Sequence, residues 1–208
     1  MGQREELGCR DVIFGVFLVA CGFGLVVSIV NIGVEMALMA TSRGPEYTVA
    51  VTGVAGLDHL AAGGTPTTLS PVFNLTVRID NAGHKVLSAC VRGRPTVVVS
   101  YGDAFLGRGS VPAFCAGVRQ VEERAATAWG QDVAVPRFLR ERLAGELERG
   151  EAEVDVQVTI SPAGCPRCGD TVLVCKAKIG GGPSSPCGLD YVYPRPDPAV
   201  LSRRTLYT

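Results

Sequence analysis

Hydrophobic and polar residues alternate in two contrasting ways along this chain. From Val12 to Val34 they read VIFGVFLVACGFGLVVSIVNIGV, an unbroken apolar run in which Asn31 is the one strongly polar side chain and nothing is charged. A helix over this run is about 35 Å long against roughly 30 Å of bilayer hydrocarbon, so it spans a membrane with modest tilt. Asp11 and Glu35 bracket it, which leaves residues 1–11 as a cytosolic stub and residues 35–45 as a linker, with TSRGP as its polar part.

Beyond the linker the period changes to two, the spacing of a half-buried strand. Tyr47, Val49 and Val51 share one side of a first strand, and Ala61 to Leu69 reads as a Gly/Thr/Pro-rich loop. In SPVFNLTVRID, Phe73, Leu75, Val77 and Ile79 face one way while Asn74, Thr76, Arg78 and Asp80 face the other, and Asn81-Ala82-Gly83 supplies a turn. Arg94 to Tyr101 carries a β-branched run, Phe105 to Phe114 reads as a short edge strand broken by glycine and proline, and Gly117 to Val133 as one or two more strands. Ala152, Val154, Val156, Val158 and Ile160 alternate with Glu151, Glu153, Asp155, Gln157 and Thr159, and Thr171 to Ile179 makes a last strand.

A single helix interrupts this pattern. Leu139, Leu143 and Leu147 form a four-spaced stripe with Phe138 beside it, Pro136 suits the first turn, and Gly150 suits a left-handed stop. Its other faces mix Arg137, Arg140, Arg142 and Arg149 with Glu141, Glu146 and Glu148, as a solvated face does. Short alternating strands with turns between them imply a mainly β domain over residues 46–179, an antiparallel sandwich of immunoglobulin or fibronectin III type, followed by an irregular tail over 180–208. Trp129 follows Cys115, so the Cys…Trp…Cys order of a true immunoglobulin core is absent.

The apolar run is longer than a signal peptide's, and Leu38 fits poorly three positions before a cut after Ala40. An uncleaved signal anchor is therefore expected. Cys90, Cys115, Cys165, Cys168, Cys175 and Cys187 suit an oxidising compartment, and Asn74-Leu75-Thr76 is a glycosylation acceptor. Together they place the N-terminus in the cytosol and the domain outside. Ala20, Gly24 and Ser28 recur every fourth residue, a spacing that lets two membrane helices pair, and Cys9 is a palmitoylation candidate.

Composition narrows the chemistry. Of 208 residues, 20 are Lys or Arg and 20 are Asp or Glu, so no global basic field invites nucleic acid. His59 and His84 fall in expected loops, and no hydrolase, phosphate-loop, zinc-protease or dinucleotide motif occurs. Neither an enzyme activity nor a cofactor is expected. Cys165-Pro166-Arg167-Cys168 with Cys175 and Cys187 could hold zinc, but disulfides are favoured, with one bridge somewhere within the stretch from Cys165 to Cys187 and no pairing singled out.

The order of a short stub, one span, SPVFNLTVRIDN, VSYGDAFLGRGSVPAF, a helix and EAEVDVQVTI resembles the plant late embryogenesis abundant group 2 proteins, in their harpin-induced-like membrane branch. The family's Asn-Pro-Asn turn is here Asn81-Ala82-Gly83. The resemblance implies a plasma-membrane protein whose non-catalytic domain faces the wall space and serves pathogen or stress responses by binding a partner. A rival reading is a carrier of lipid or another apolar ligand, with a cavity lined by Phe73, Leu75 and the Val154 to Ile160 strand. A third is a zinc-stabilised domain.

Overall fold

The structure is a computed structural model describing residues 3–57, 60, 68–161, 169–182 and 185–192, the first ten of these by backbone alone. Contacts divide the chain into two units, Met1–Arg43 and Gly44–Thr208.

The first unit is one helix, α1 (Gln3–Ala40). Neither Asp11 nor Glu35 ends it, because an isolated carboxylate side chain is compatible with helical backbone. The linker expected over residues 35–45 is helical as far as Ala40. The helix stops where Gly44 and Pro45 approach, and the hydroxyls of Thr41 and Ser42 donate to the Ala37 and Leu38 carbonyls at 3.0 and 2.7 Å. Within Ile13 to Ala40 an 18-residue stretch has a mean hydropathy of 2.7, and the side chains are exposed, Phe14 by 65% and Val19 by 74%. This stretch is long and apolar enough to cross a membrane or to serve as a signal sequence.

The second unit is mainly antiparallel β. Its strands are β1 (Glu46–Ala55), β2 (Thr68–Leu69), β3 (Val72–Asp80), β4 (Ala89–Val91), β5 (Thr96–Tyr101), β6 (Ala104–Ser110), β7 (Phe114–Ala116), β8 (Val121–Trp129), β9 (Val133–Ala134), β10 (Glu153–Ile160), β11 (Asp170–Lys178) and β12 (Gly188–Val192). Eight of them form one sheet in the order β1-β3-β8-β6-β5-β10-β11-β12, while β2-β9 and β4-β7 are short separate pairs. The large sheet curls on itself, bringing β1 at one end against β11 near the other, with a bridge from Thr48 to Pro186.

Curling follows from the period-two pattern, since every strand must turn its apolar side inward. Phe73, Leu75, Val77 and Ile79 of β3 meet Val97 and Val99 of β5 and Val154, Val156 and Val158 of β10 in a single core, all 0–1% exposed. At about 25 cal/mol per Å2 of apolar surface, each of these side chains stabilises the fold by roughly 1.5–3 kcal/mol. Trp129 is 58% exposed and takes no part.

Three elements differ from expectation. The segment read as an edge strand is β6, which lies inside the sheet between β5 and β8. Its glycines mark close approach rather than an edge, because a Cβ at Gly109 would strike the Thr127 carbonyl and one at Gly107 would reach Trp129 C at 2.9 Å. The tail read as irregular contains β12, paired with β11 from Asp170↔Val192 to Val174↔Gly188. Thr68 and Leu69, read as loop, pair with β9.

Asn81 does more than turn the chain. It is 1% exposed, and its Nδ2 donates to the Leu87 and Gly117 carbonyls at 2.9 and 2.8 Å, tying the segment after β3 to the turn before β8. The helix α2 (Arg137–Glu148) buries Leu139 and Leu143 as expected, whereas Phe138 is 68% exposed. Pro136 caps the helix from outside rather than entering its first turn. At the other end Gly150 takes φ +65°, its N–H bonding the Leu147 carbonyl at 3.0 Å and that of Glu151 the Glu146 carbonyl at 2.8 Å. This is the left-handed stop that a residue with a Cβ adopts only at a cost.

Candidate functional site

A polar cleft of about 420 Å3 lies beside α2 in the β unit. Arg142 and Glu146 of α2, with Arg149 at its C-terminal cap, form the helical wall, spaced so that they fall on one side. Its floor is the outward side of β10 and the residues leading into it, where Glu151, Glu153 and Asp155 follow at every second position. Lys176, the register partner of Asp155 on β11, stands at the rim. Tyr101 and Leu139 close the deep end beside Gly102.

Two of the cations are already engaged. Arg142 Nε donates to Glu146 Oε1 at 2.9 Å, and Arg149 Nε to Glu151 Oε2 at 2.8 Å. Burial raises the Glu146 carboxyl's pKa, but Arg142 and the neighbouring Tyr101 hydroxyl outweigh it and hold the group below its ordinary value.

Tyr101 is the unusual member. It ends β5 with its side chain turned inward like Val97 and Val99, leaving the residue 4% exposed. Its hydroxyl is buried and has no hydrogen-bond partner among the described residues, although the Glu146 carboxylate is close enough to act on it. Desolvation, with the neighbouring carboxylate, pushes the phenol's pKa up to about 12. The Arg142 guanidinium lies 5.9 Å from the ring centre. A buried hydroxyl without a partner forfeits about 1–3 kcal/mol of hydration, so this end of the cleft has an unmet polar demand.

The residues singled out from sequence lie elsewhere. Asn74 is exposed on the outer face of β3, between Gly53 of β1 and Thr127 of β8, with Thr76 of its acceptor triplet partly exposed on the same face. Cys90 is bonded to Cys115 across β4 and β7, and Cys175 to Cys187 across the end of β11. The second bond removes two of the four thiolates a zinc site over Cys165, Cys168, Cys175 and Cys187 requires. Cys165, Cys168, His59 and the side chain of Cys9 lie outside the described residues. His84 is partly buried, and its Nδ1 accepts from the Leu87 N–H at 3.1 Å, a turn-stabilising bond. On α1, Ala20 and Gly24 are exposed, and the Ser28 hydroxyl donates to the Gly24 carbonyl at 2.9 Å.

The cleft was not singled out because its charges read, one by one, as solvated faces of a helix and a strand. One signal was present. The alternation that sends Val97 and Val99 inward also sends Tyr101 there, and an inward phenol at a strand end needs a partner. Compared with protein-family models, curated proteins and solved structures, the chain matches none.

Proposed function

We propose that the chain is a single-pass plasma-membrane protein of the late embryogenesis abundant group 2 kind, with α1 as an uncleaved anchor and the β unit outside the cell. In this reading the two halves of the curled sheet are the layers of an immunoglobulin-like sandwich, which binds a protein partner in a plant defence or stress response and is not an enzyme. The observation that carries the proposal is the apolar surface of α1 from Ile13 to Ala40, none of which is buried. Exposed apolar surface of that extent is stable in lipid and not in water. Two disulfides in the β unit fit an oxidising exterior.

The filled core favours partner binding over ligand carriage. Phe73, Leu75, Val154, Val156 and Val158 are 0–1% exposed, whereas side chains lining an open ligand cavity would keep exposed surface. The outer surface is then where recognition occurs.

Carbonate extraction combined with protease treatment of intact cells tests the proposal. The full-length chain should remain in the membrane pellet, and a C-terminal tag should be cut from outside. Recovery of the chain in the carbonate supernatant, or of a mature form beginning after α1, overturns the anchor. A tag protected until the cells are permeabilised overturns the orientation. Proximity labelling from the β unit then identifies the partner.

A further inference from the structure

The cleft beside α2 carries an inference that lies wholly within the β unit and does not depend on what α1 does. Its lining holds four carboxylates, Glu146, Glu151, Glu153 and Asp155, against three cations, Arg142, Arg149 and Lys176, which leaves a net charge of −1. Arg142 and Arg149 are paired to Glu146 and Glu151, which offsets their charge within the cleft. Glu153 and Asp155 have no ion-pair partner within 4.0 Å among the described residues. Two residues along a strand separate their side chains by about 6.8 Å. No group of three metal-ligating residues occurs among those described. The Glu153 and Asp155 carboxylates make one acceptor end of the cleft and the Tyr101–Glu146 pair the other, which suits a short organic dication.

The deep end adds the second half of the argument. The Tyr101 hydroxyl is buried without a partner next to the Glu146 carboxylate, and Leu139 and Gly102 beside it offer apolar wall. Arg142, which overlies the ring and pairs with Glu146, has a side chain 69% exposed, so an ammonium group that takes its place at Glu146 can displace it into solvent.

We propose that this cleft binds a linear aliphatic diamine or polyamine. One ammonium group donates to the Tyr101 hydroxyl oxygen and the Glu146 carboxylate, the methylene chain crosses Leu139 and Gly102, and a second ammonium group lies between Glu153 and Asp155. The buried phenol thereby gains the hydrogen bond it lacks, and the row of carboxylates gains its counter-charge.

Isothermal titration of the full chain in detergent micelles tests this, with 1,4-diaminobutane and 1,8-diaminooctane as probes and butylamine and magnesium chloride as controls. A diamine should bind with one-to-one stoichiometry and at least about tenfold more tightly than butylamine, because the second ammonium adds its own contact. The double variant Glu153→Gln/Asp155→Asn should lose at least about tenfold of that affinity. Tyr101→Phe should lose several-fold while melting within a few degrees of the parent, since it removes only an unpartnered hydroxyl. Should that variant fail to fold, Glu146→Gln examines the same end and should weaken binding likewise. Absence of diamine binding at about 10 mM overturns the proposal. So does equal binding of magnesium, which would mean general charge attraction, or unchanged affinity in the Glu153/Asp155 double variant.

Discussion

The backbone N–H of Cys187 donates to the carbonyl of Tyr47 at 2.8 Å. Cys187 is bonded through sulfur to Cys175 of β11, whereas Tyr47 belongs to β1 at the opposite end of the strand order. A disulfide on one end of the sheet thus holds the group that hydrogen-bonds the other. Beside it, Thr48 bridges to Pro186. Part of the edge that β1 would expose to other chains is covered in this way.

Cys187→Ser should therefore act at the seam as well as on the whole domain. The two cysteines are 12 positions apart, and closing a loop of that size is worth roughly 3 kcal/mol. Denaturant unfolding should show a loss of about 2–3 kcal/mol, with faster amide exchange in β1 around Val49. Cys115→Ser, which opens the bond between β4 and β7, should lower global stability comparably and leave exchange in β1 unchanged. Equal exchange in the two variants would refute the role assigned to the seam.

Gly109→Val should be among the most damaging substitutions in the domain. Its side chain would overlap the Thr127 carbonyl, a backbone group that cannot step aside without separating β6 from β8. A loss above about 3 kcal/mol is expected. Gly150→Ala meets nothing within 4 Å and has only its φ of +65° to contend with, so about 1 kcal/mol should go. Thermal melts of the two variants rank them.

Leu143→Ala and Phe138→Ala separate the buried stripe of α2 from its exposed neighbour. Leu143 is 0% exposed and Phe138 is 68% exposed. The first should cost about 2–5 kcal/mol by leaving a cavity, and the second less than about 0.5 kcal/mol. Similar losses in urea unfolding would mean that α2 packs by a different face.

Stability should fall in alkali through Tyr101. Its pKa is about 12 folded against 10.0 for an ordinary tyrosine. Above pH 10 the unfolded chain releases this proton while the folded chain keeps it, so the unfolded state binds fewer protons and stability declines with rising pH. The contribution is intact below pH 10, is lost as pH rises toward 12, and is at most about 2–3 kcal/mol. Tyr47, also raised chiefly by burial, adds in the same direction. Denaturation curves between pH 9 and 12 should be flatter for Tyr101→Phe than for the parent.

Much of the local structure was legible because period and burial coincide. Phe73 to Ile79, Val154 to Val158, and the Leu139–Leu143 stripe all turn inward as their spacing requires. Gly107 and Gly109 misled because glycine marks both an exposed edge and a backbone approached too closely for a Cβ, and only the neighbour's position separates the two. Glu35 misled for a related reason: a charge ends an apolar run without ending a helix.

The candidate cleft was less legible, since Arg142, Glu146, Glu153 and Asp155 each look solvated within their own element. Their convergence depends on α2 lying beside β10, and the unmet hydrogen bond of Tyr101 depends on what surrounds a strand end.

The order of residues alone determined which side chains avoid water: an apolar helix long enough for a bilayer, then strands each with one face to hide. Such preferences are local, because hydration and backbone geometry act over a few residues. Tertiary structure decided which strands became neighbours, that one sheet curls until Cys187 reaches Tyr47, and that a helix wall and a strand floor enclose a phenol. Those outcomes are set by contacts between segments far apart in the chain, where a two-residue period specifies a face but not the partner that covers it.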